Sequence, residues 1–152
     1  MVAFIDVLFW FSSIYIFPFW LMMWFAPTHE RTAALMRNEW VYLAPLAAAY
    51  TLAVLPNLVD ILVLLGSDMP SPDIVVEMFS EREVILIGWL HYLAFDLFDG
   101  RWTWQRLVAT GKPIYVSFPV LLLSMFVAPL GALIGMIVTR EYTSEQETSP
   151  VA

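Results

Sequence analysis

Apolar residues in this chain cluster in four long runs separated by shorter polar stretches. The runs extend over about residues 2–25, 40–65, 84–98 and 114–138. A helix needs about 20 apolar residues to cross the hydrocarbon core of a bilayer. The pattern therefore predicts an all-α, integral membrane bundle of four transmembrane helices, in which the third helix is short for a crossing.

Prolines and polar residues indicate how these runs begin, bend and end. Pro18 and Pro56 lie inside the first two runs, where a proline frees a carbonyl and bends the helix. Residues 73–80 follow a proline-containing loop and predict a short interfacial helix before the third span. The transmembrane domain is thus expected over residues 1–140. The polar, acidic segment 141–152 is expected to be a disordered tail.

Composition supports a lipid environment and excludes several classes of function. Hydrophobic residues make up 61% of the chain and charged residues only 14%, whereas roughly a quarter is usual in soluble domains. Membrane lipids are therefore expected partners. The net charge of -7 argues against a nucleic-acid partner. The chain contains no cysteine, so disulfides and thiolate sites are excluded.

The basic residues predict an orientation. Five of the seven lie in the loops after the first and third runs, namely Arg31, Arg37, Arg101, Arg106 and Lys112. Arg82 and Arg140 are then left for the opposite side, so the positive-inside rule predicts that both termini are non-cytoplasmic. The first run lacks a basic leader segment and starts almost at once. We therefore expect an uncleaved span in a bacterial inner membrane.

Ionisable side chains at membrane depth are costly, so each is a functional candidate. Asp6 lies near a helix start, where the helix dipole favours a carboxylate. Asp60 follows Asn57 by about one turn, near the bend at Pro56. That polar pair either joins helices within the bundle or takes part in chemistry.

The third run carries the densest polar cluster, GWLHYLAFDLFDGRW over residues 88–102. Tyr92 and Asp96 are four residues apart and can form a hydrogen bond, while His91 lies on another face. We expect His91 and Asp96 to line the bundle interior, as a general base and a general acid. Asp96 and Asp99 would occupy the last helical turn before Gly100. The alternative is that His91 is a structural hydrogen-bonding residue and the acids pair with arginines.

Cofactor motifs are absent from the sequence. Two histidines, His29 and His91, are too few for a di-iron site, and a mononuclear site has no specific support. No phosphate-binding glycine motif is present, so no metal and no cofactor is expected. The many aromatic residues either form interfacial belts or line a groove for a long conjugated or isoprenoid ligand. Candidate ligand contacts are Trp20, Asn57, Trp89 and Tyr92.

Three segments resemble the abscisic-acid-deficient-four-like membrane proteins. They are FPFWLMMWFAP (17–27), MFSEREVILIGWLHYLAFDLFDGRW (78–102) and APLG (128–131). The most specific residues are Trp89, His91, Asp96, Leu97 and Phe98. Plant members of that family are chloroplast proteins needed to form neoxanthin from violaxanthin. The resemblance implies a role in xanthophyll metabolism, through an isomerisation in which an epoxide opens and a proton leaves the chain.

These observations lead to the hypothesis of a cofactor-free isomerase of carotenoid biosynthesis. His91 would be the base or proton relay, Asp96 the acid, and Asp60 a second proton-handling group. The alternative is a non-catalytic protein that binds pigment or lipid, or assists assembly of a pigment complex. A bundle this small is also compatible with a homo-oligomer. A small transporter is less favoured because no inverted repeat is evident.

Overall fold

The computed structural model describes residues 2–67 and 71–142, which form α-helices and one 3-10 turn and contain no strand. The expected all-α class is confirmed. In chain order, the helices are α1 Val2–Tyr15, α2 Phe17–Phe25, α3 Glu30–Arg37, α4 Glu39–Tyr42, α5 Ala44–Val54, α6 Leu58–Ser67, α7 Pro72–Met78, α8 Arg82–Ala109, α9 Ile114–Phe126 and α10 Ala128–Val138. The expected tail lies, from residue 143 onward, outside the described residues.

Two apolar rods correspond to the first two runs. Helices α1 and α2 join into one rod, because the Ile16 N–H still donates to the Ser12 carbonyl across the junction (3.3 Å). Helices α5 and α6 are joined through a 3-10 turn at residues 55–57 that contains Pro56. Over Ala3–Phe25 and Ala44–Val63 these rods are long and apolar enough to cross a membrane. Four crossings are not confirmed.

Helix α7 begins one residue earlier than expected, and its N-terminus is capped by Ser71. The Ser71 hydroxyl accepts a hydrogen bond from the backbone N–H of Ile74 (3.3 Å). Ser71 is thus a helix N-cap of the usual kind. The helix is followed by Phe79, whose ring lies against Gly88 near the start of α8.

Helix α8 is much longer than the expected third span of 84–98. Its 28 residues extend for about 42 Å. The helix continues through Gly100, because this glycine makes room for the Trp20 ring: a Cβ atom there would lie 2.2 Å from Trp20 Cη2. Gly100 is a packing residue and not a helix end. Asp96 and Asp99 are therefore in the helix interior, and their expected position in a last turn is wrong.

The fourth apolar run is not a single helix. It breaks at Val127, whose backbone leaves the helical region (φ -144, ψ 66). Helices α9 and α10, of 13 and 11 residues, are about 20 Å and 17 Å long. Each is too short to cross a hydrocarbon core of about 30 Å. The expected span over 114–138 is therefore replaced by two half-length helices.

Helix α10 turns back along α9, and the two form an antiparallel hairpin. A Cβ atom at Gly131 would lie 2.3 Å from the Ser124 backbone nitrogen, and one at Gly135 would lie 3.6 Å from Val120. Farther from the turn, Lys112 forms an ion pair with Glu141. Its hydrogen bond lowers the pKa of the exposed Glu141 carboxyl. Contacts 124 to 131, 120 to 135 and 112 to 141 define the antiparallel register.

The other helices pack around α8. The α1–α2 rod runs parallel to α8: Arg82 forms an ion pair with Asp6 (2.6 Å) at one end, and the Trp104 indole N–H donates to the Pro27 carbonyl (3.0 Å) toward the other. Helix α5 runs antiparallel to α8. Its Tyr50 ring lies 5.4 Å from that of His91. The hairpin packs against the C-terminal half of α8, where Gly135 lies beside Thr103 and Thr139 accepts from Arg106.

This arrangement separates the two ends of the described chain. Helix α1 begins beside Arg82, at the start of α8, whereas α10 ends beside Arg106, near the end of α8. The Arg106 guanidinium donates to the Thr139 hydroxyl (3.1 Å). The two ends of the described chain therefore lie at opposite ends of the bundle. The prediction that both termini are non-cytoplasmic is therefore not supported by the arrangement of the described residues.

The hairpin depends on Gly131, and a substitution there tests it. We expect Gly131→Ala to destabilise the protein by about 1–3 kcal/mol, because the added methyl group meets the backbone of Ser124. Gly66→Ala is the matched control, since no atom lies within 4 Å of its added Cβ. That control should be neutral or up to about 1 kcal/mol stabilising. Thermal unfolding in mild detergent measures both; equal stabilities would contradict the close packing.

Candidate functional site

One face of α8 carries a series of polar residues. Tyr92, Asp96, Asp99 and Thr103 are spaced by four, three and four residues, so they share a face. The hairpin covers the part of this face nearest the C-terminus of α8, where Thr103 is fully buried. Asp96 and Asp99 are half-buried, and Tyr92 is 57% exposed. The polar series thus passes from the protein interior to the surface.

The end of the hairpin determines where this face opens. Ser124 lies beside Asp99, and Val127 follows three residues later on a helix antiparallel to α8. The turn therefore lies near the level of Asp96. From this level toward the N-terminus of α8, the same face of the helix is uncovered. We call the segment formed by Trp89, Tyr92 and Asp96 the open face.

Helix α1 borders the open face on one side. The Trp89 indole N–H donates to the Ser13 hydroxyl (3.3 Å), and its ring centroid lies 6.1 Å from that of Phe9. Trp89 is still 46% exposed. Trp89 and Tyr92 thus form an aromatic wall that extends from Asp96 toward the N-terminus of α8, and the hydrogen bond from Trp89 anchors it to α1.

Asp96 and Asp99 form a pair of neighbouring carboxyl groups, close enough to interact electrostatically. Within residues 2–67 and 71–142, neither takes part in the ion pairs Arg82–Asp6 and Lys112–Glu141. Arg101 donates to the Met36 carbonyl, and Arg106 is bound to Thr139. Of the two acids, Asp96 is the one that belongs to the open face.

His91 does not face the bundle interior as expected. It is exposed, its ring stacks on Phe95 at 4.5 Å, and Tyr50 lies 5.4 Å away. Five residues of helix separate it from Asp96, which corresponds to a rotation of about 140°. His91 and Asp96 therefore lie on different sides of α8 and do not form one site.

The other predicted site residues are also dispersed. Asp60 is exposed on α6 and Asn57 is partly buried in the 3-10 turn. The α5–α6 rod runs antiparallel to α8, which places both residues toward Arg82 and away from Asp96. Trp20 has 0% exposure and packs against Gly100 in the core, where no ligand reaches it. Of the predicted residues, only Trp89, Tyr92 and Asp96 come together.

Sequence reasoning did not single out Thr103, Ser124 or Ser13. The 3-4 spacing from Asp96 through Asp99 to Thr103 is a helical signal that could have identified Thr103, had α8 been extended past Gly100. Ser124 becomes a neighbour of Asp99 only through the hairpin. No periodicity in the sequence indicates that contact.

No group of three or more histidine, aspartate and glutamate side chains in the described ranges is arranged to hold a metal ion. A depression of about 780 Å³ lies at the other end of the bundle, with Phe25, His29, Lys112 and Ile114 among its lining residues. It is separate from the open face.

The outward direction of His91 is testable because the chain contains no cysteine. We expect His91→Cys to react readily with a membrane-permeant maleimide in the folded protein. Leu93→Cys, two residues along the helix at a buried position (6% exposed), should react at least tenfold more slowly. Mass spectrometry of the intact protein measures both rates. Protection of the His91→Cys variant together with rapid labelling of the Leu93→Cys variant would mean that α8 is rotated.

Comparison with known proteins gives one finding. A family model described as ABA DEFICIENT 4-like matches residues 7–134. No curated protein and no solved structure matches the chain. The matched range includes the three segments on which the resemblance was based, and it extends over both rods, α8 and most of the hairpin.

Proposed function

The chain belongs to the ABA DEFICIENT 4-like family, and from this membership we propose that it is a membrane-embedded protein of xanthophyll metabolism. In this proposal, a long polyene or related isoprenoid binds along the open face, and Asp96 acts on it as a cofactor-free acid and base. The observation that carries the proposal is the position of Asp96, where a polar interior meets an exposed aromatic surface.

The apolar exterior supports embedding in the membrane. Two rods have the length and composition of membrane spans. Large hydrophobic side chains are exposed on all parts of the bundle, including Val7 (64%), Leu62 (61%) and Ile137 (61%). Such a surface is stable in lipid and not in water. We further propose that the protein lies in the inner membrane of a bacterium.

The shape of the open face suits a rod-shaped apolar ligand. From Asp96 to the start of α8 the helix extends for about 21 Å. Exposed Ile85, Trp89 and Tyr92 follow one another along it. Planar aromatic side chains provide large apolar contact area for a flat conjugated chain. Because this side of α8 is uncovered, the ligand can enter sideways from the lipid.

An isomerisation that opens an epoxide and removes a chain proton requires no net proton. A single carboxyl can therefore donate a proton to the epoxide oxygen and then accept one from carbon. Asp96 fits this cycle, because a half-buried carboxyl without a basic partner is readily kept protonated between turnovers. Tyr92, one turn before Asp96, is placed to hold a polar group of the ligand beside it.

The alternative is a non-catalytic protein that binds a pigment or assists a pigment complex. The dispersion of His91, Asp60 and Asp96 favours it, because only one of the three expected catalytic groups lies on the open face. In that case Trp89 and Tyr92 bind the ligand. Asp96 then has only a structural role.

Pigment analysis of a deletion strain distinguishes these functions. We expect deletion to change the carotenoid profile, and the wild-type chain to restore it. Asp96→Asn should lower product formation by on the order of 100-fold, the usual effect of losing a general acid. Asp60→Asn is the matched control, because it makes the same change on exposed α6 and should restore the profile.

An unchanged profile after deletion would refute the metabolic role. Full restoration by Asp96→Asn would refute its catalytic role and favour the binding function. The expected loss of product with Asp96→Asn is attributed to the carboxyl only if that variant reaches the wild-type level in the membrane.

Labelling of single-cysteine variants tests the membrane topology. In spheroplasts of a bacterial host, an impermeant maleimide should label Ala3→Cys, whereas Thr28→Cys and Arg140→Cys should react only after permeabilisation. Ala3 belongs to the end of the bundle with a single basic residue, and the other two to the basic end. Labelling of both the Ala3→Cys and the Arg140→Cys variants in intact spheroplasts would contradict the hairpin, because a fourth crossing would place the two positions on the same side.

A further inference from the structure

The depression at the basic end of the bundle combines apolar and charged lining residues. Phe25 and Ile114 are its large apolar residues, and both are more than half exposed. Residues 28–30 and Lys112 supply its polar groups. Its volume of about 780 Å³ lies within the range of ligand sites in proteins, about 300–1,000 Å³. A molecule that fills it is expected to be amphipathic.

The depression lies where the first rod leaves the hydrocarbon. That rod ends at Phe25, and α9 begins at Ile114. The polar lining residues belong to the connecting segments just beyond these two helix ends. In the membrane embedding proposed above, on which this inference rests, Phe25 and Ile114 meet the acyl chains. The polar lining residues then lie at the level of the lipid head groups.

Hydrogen bonds hold the α2–α3 loop in place. The Pro27 carbonyl accepts from the Trp104 indole N–H (3.0 Å), which ties the loop to α8. Nδ1 of His29 accepts from the backbone N–H of Arg31 (3.1 Å). The neutral His29 ring therefore carries its proton on Nε2, where it can donate to an external oxygen. Thr28 lies between these two fixed positions, with its exposed hydroxyl as a further donor.

Lys112 is held by the end of α8. Its backbone N–H donates to the Leu107 carbonyl (2.9 Å), and the N–H of Gly111, at a positive φ of 63, donates to the Val108 carbonyl (3.0 Å). These two bonds form a Schellman motif. The Lys112 ammonium group pairs with Glu141, which uses one of its three donors. Two N–H groups remain for an anionic oxygen in the depression.

The charges of the lining match a zwitterion better than an anion. The lining carries Lys112 as a base and Glu30 as an acid. Glu141 already offsets the Lys112 charge, whereas Glu30 takes part in neither ion pair of residues 2–67 and 71–142. An anionic ligand would bring a like charge to Glu30, which is unfavourable. A primary ammonium group would instead donate charge-assisted hydrogen bonds to this carboxylate.

We propose that this depression binds one phospholipid with a zwitterionic head group that carries a primary amine. The phosphate accepts hydrogen bonds from Lys112, His29 Nε2 and the Thr28 hydroxyl, and the ammonium group donates to Glu30. The acyl chains lie against Phe25 and Ile114. The site is separate from Asp96 and does not depend on the xanthophyll chemistry proposed there.

Competition among lipids in nanodiscs tests the site. The full chain is reconstituted with equal amounts of phosphatidylethanolamine, phosphatidylcholine and phosphatidylglycerol that share the same acyl chains. Native mass spectrometry then identifies the lipid that the protein retains. We expect phosphatidylethanolamine to be favoured about tenfold over the other two lipids, as is usual for a charge-assisted hydrogen bond.

Substitutions separate the two parts of the head group. Glu30→Gln should abolish the preference for phosphatidylethanolamine over phosphatidylcholine, because it removes the charged acceptor of the ammonium group. Lys112→Gln should weaken retention of all three lipids. Thr28→Val should do so too and keeps the Lys112–Glu141 ion pair, in case Lys112→Gln does not fold. Glu39→Gln is the matched control and should behave like the wild type, since Glu39 is an exposed glutamate in the first turn of α4 and outside the depression.

Equal retention of the three lipids, or a preference that Glu30→Gln leaves unchanged, would overturn the site and leave the embedding intact. Displacement of the lipid by an equimolar amount of free O-phosphoethanolamine would also overturn it, because it would identify a soluble ligand. Failure of the chain to enter nanodiscs would overturn the embedding together with the site. The pigment profile of the deletion strain tests the xanthophyll role separately.

Discussion

The close approach of α10 to α9 and α8 is the constraint on which the architecture depends. Gly131 and Gly135 are the positions at which a side chain would collide with Ser124 or Thr103. With these glycines, the fourth apolar run can reverse at Val127 and pack as a hairpin. Because each arm has half the length of a membrane span, the hairpin covers only half of α8. The open face follows from that difference in length.

The same reversal produces a strong charge asymmetry. Arg140 returns to the end of the bundle that holds Arg31, Arg37, Arg106 and Lys112, while Arg82 remains at the other end with Asp6. Counting Arg101, whose side chain reaches the Met36 carbonyl, six of the seven basic residues are directed to one end. The charge difference between the two ends of the bundle is thus larger than the sequence suggested, because Arg140 was assigned to the end that holds Arg82.

Hydropathy identified the apolar runs, the helical class and the family segments, but not how the runs fold. An apolar count is the same for one long helix and for two short antiparallel helices, so hydropathy does not show the break at Val127. The signal was Pro129, which lies in the first turn of α10. Gly100 and Arg101 look like a loop, yet the glycine accommodates Trp20 and the arginine finds a backbone acceptor, so α8 continues. A helical wheel gives angles between residues and no absolute direction. His91 was therefore assigned to the interior, although it faces outward.

The position of Asp96 explains how a carboxyl can be both shielded and reachable. At full exposure to hydrocarbon it would be costly, and deep beneath the hairpin, like Thr103, it would be beyond the reach of a ligand. Asp96 lies at the edge of the hairpin. On one side it adjoins Asp99 and the polar interior, and on the other side it adjoins Tyr92 and Trp89. A ligand on the aromatic wall can then meet an acid without crossing the protein core. In the proposed function, the half-length hairpin is what leaves Asp96 within reach of a ligand.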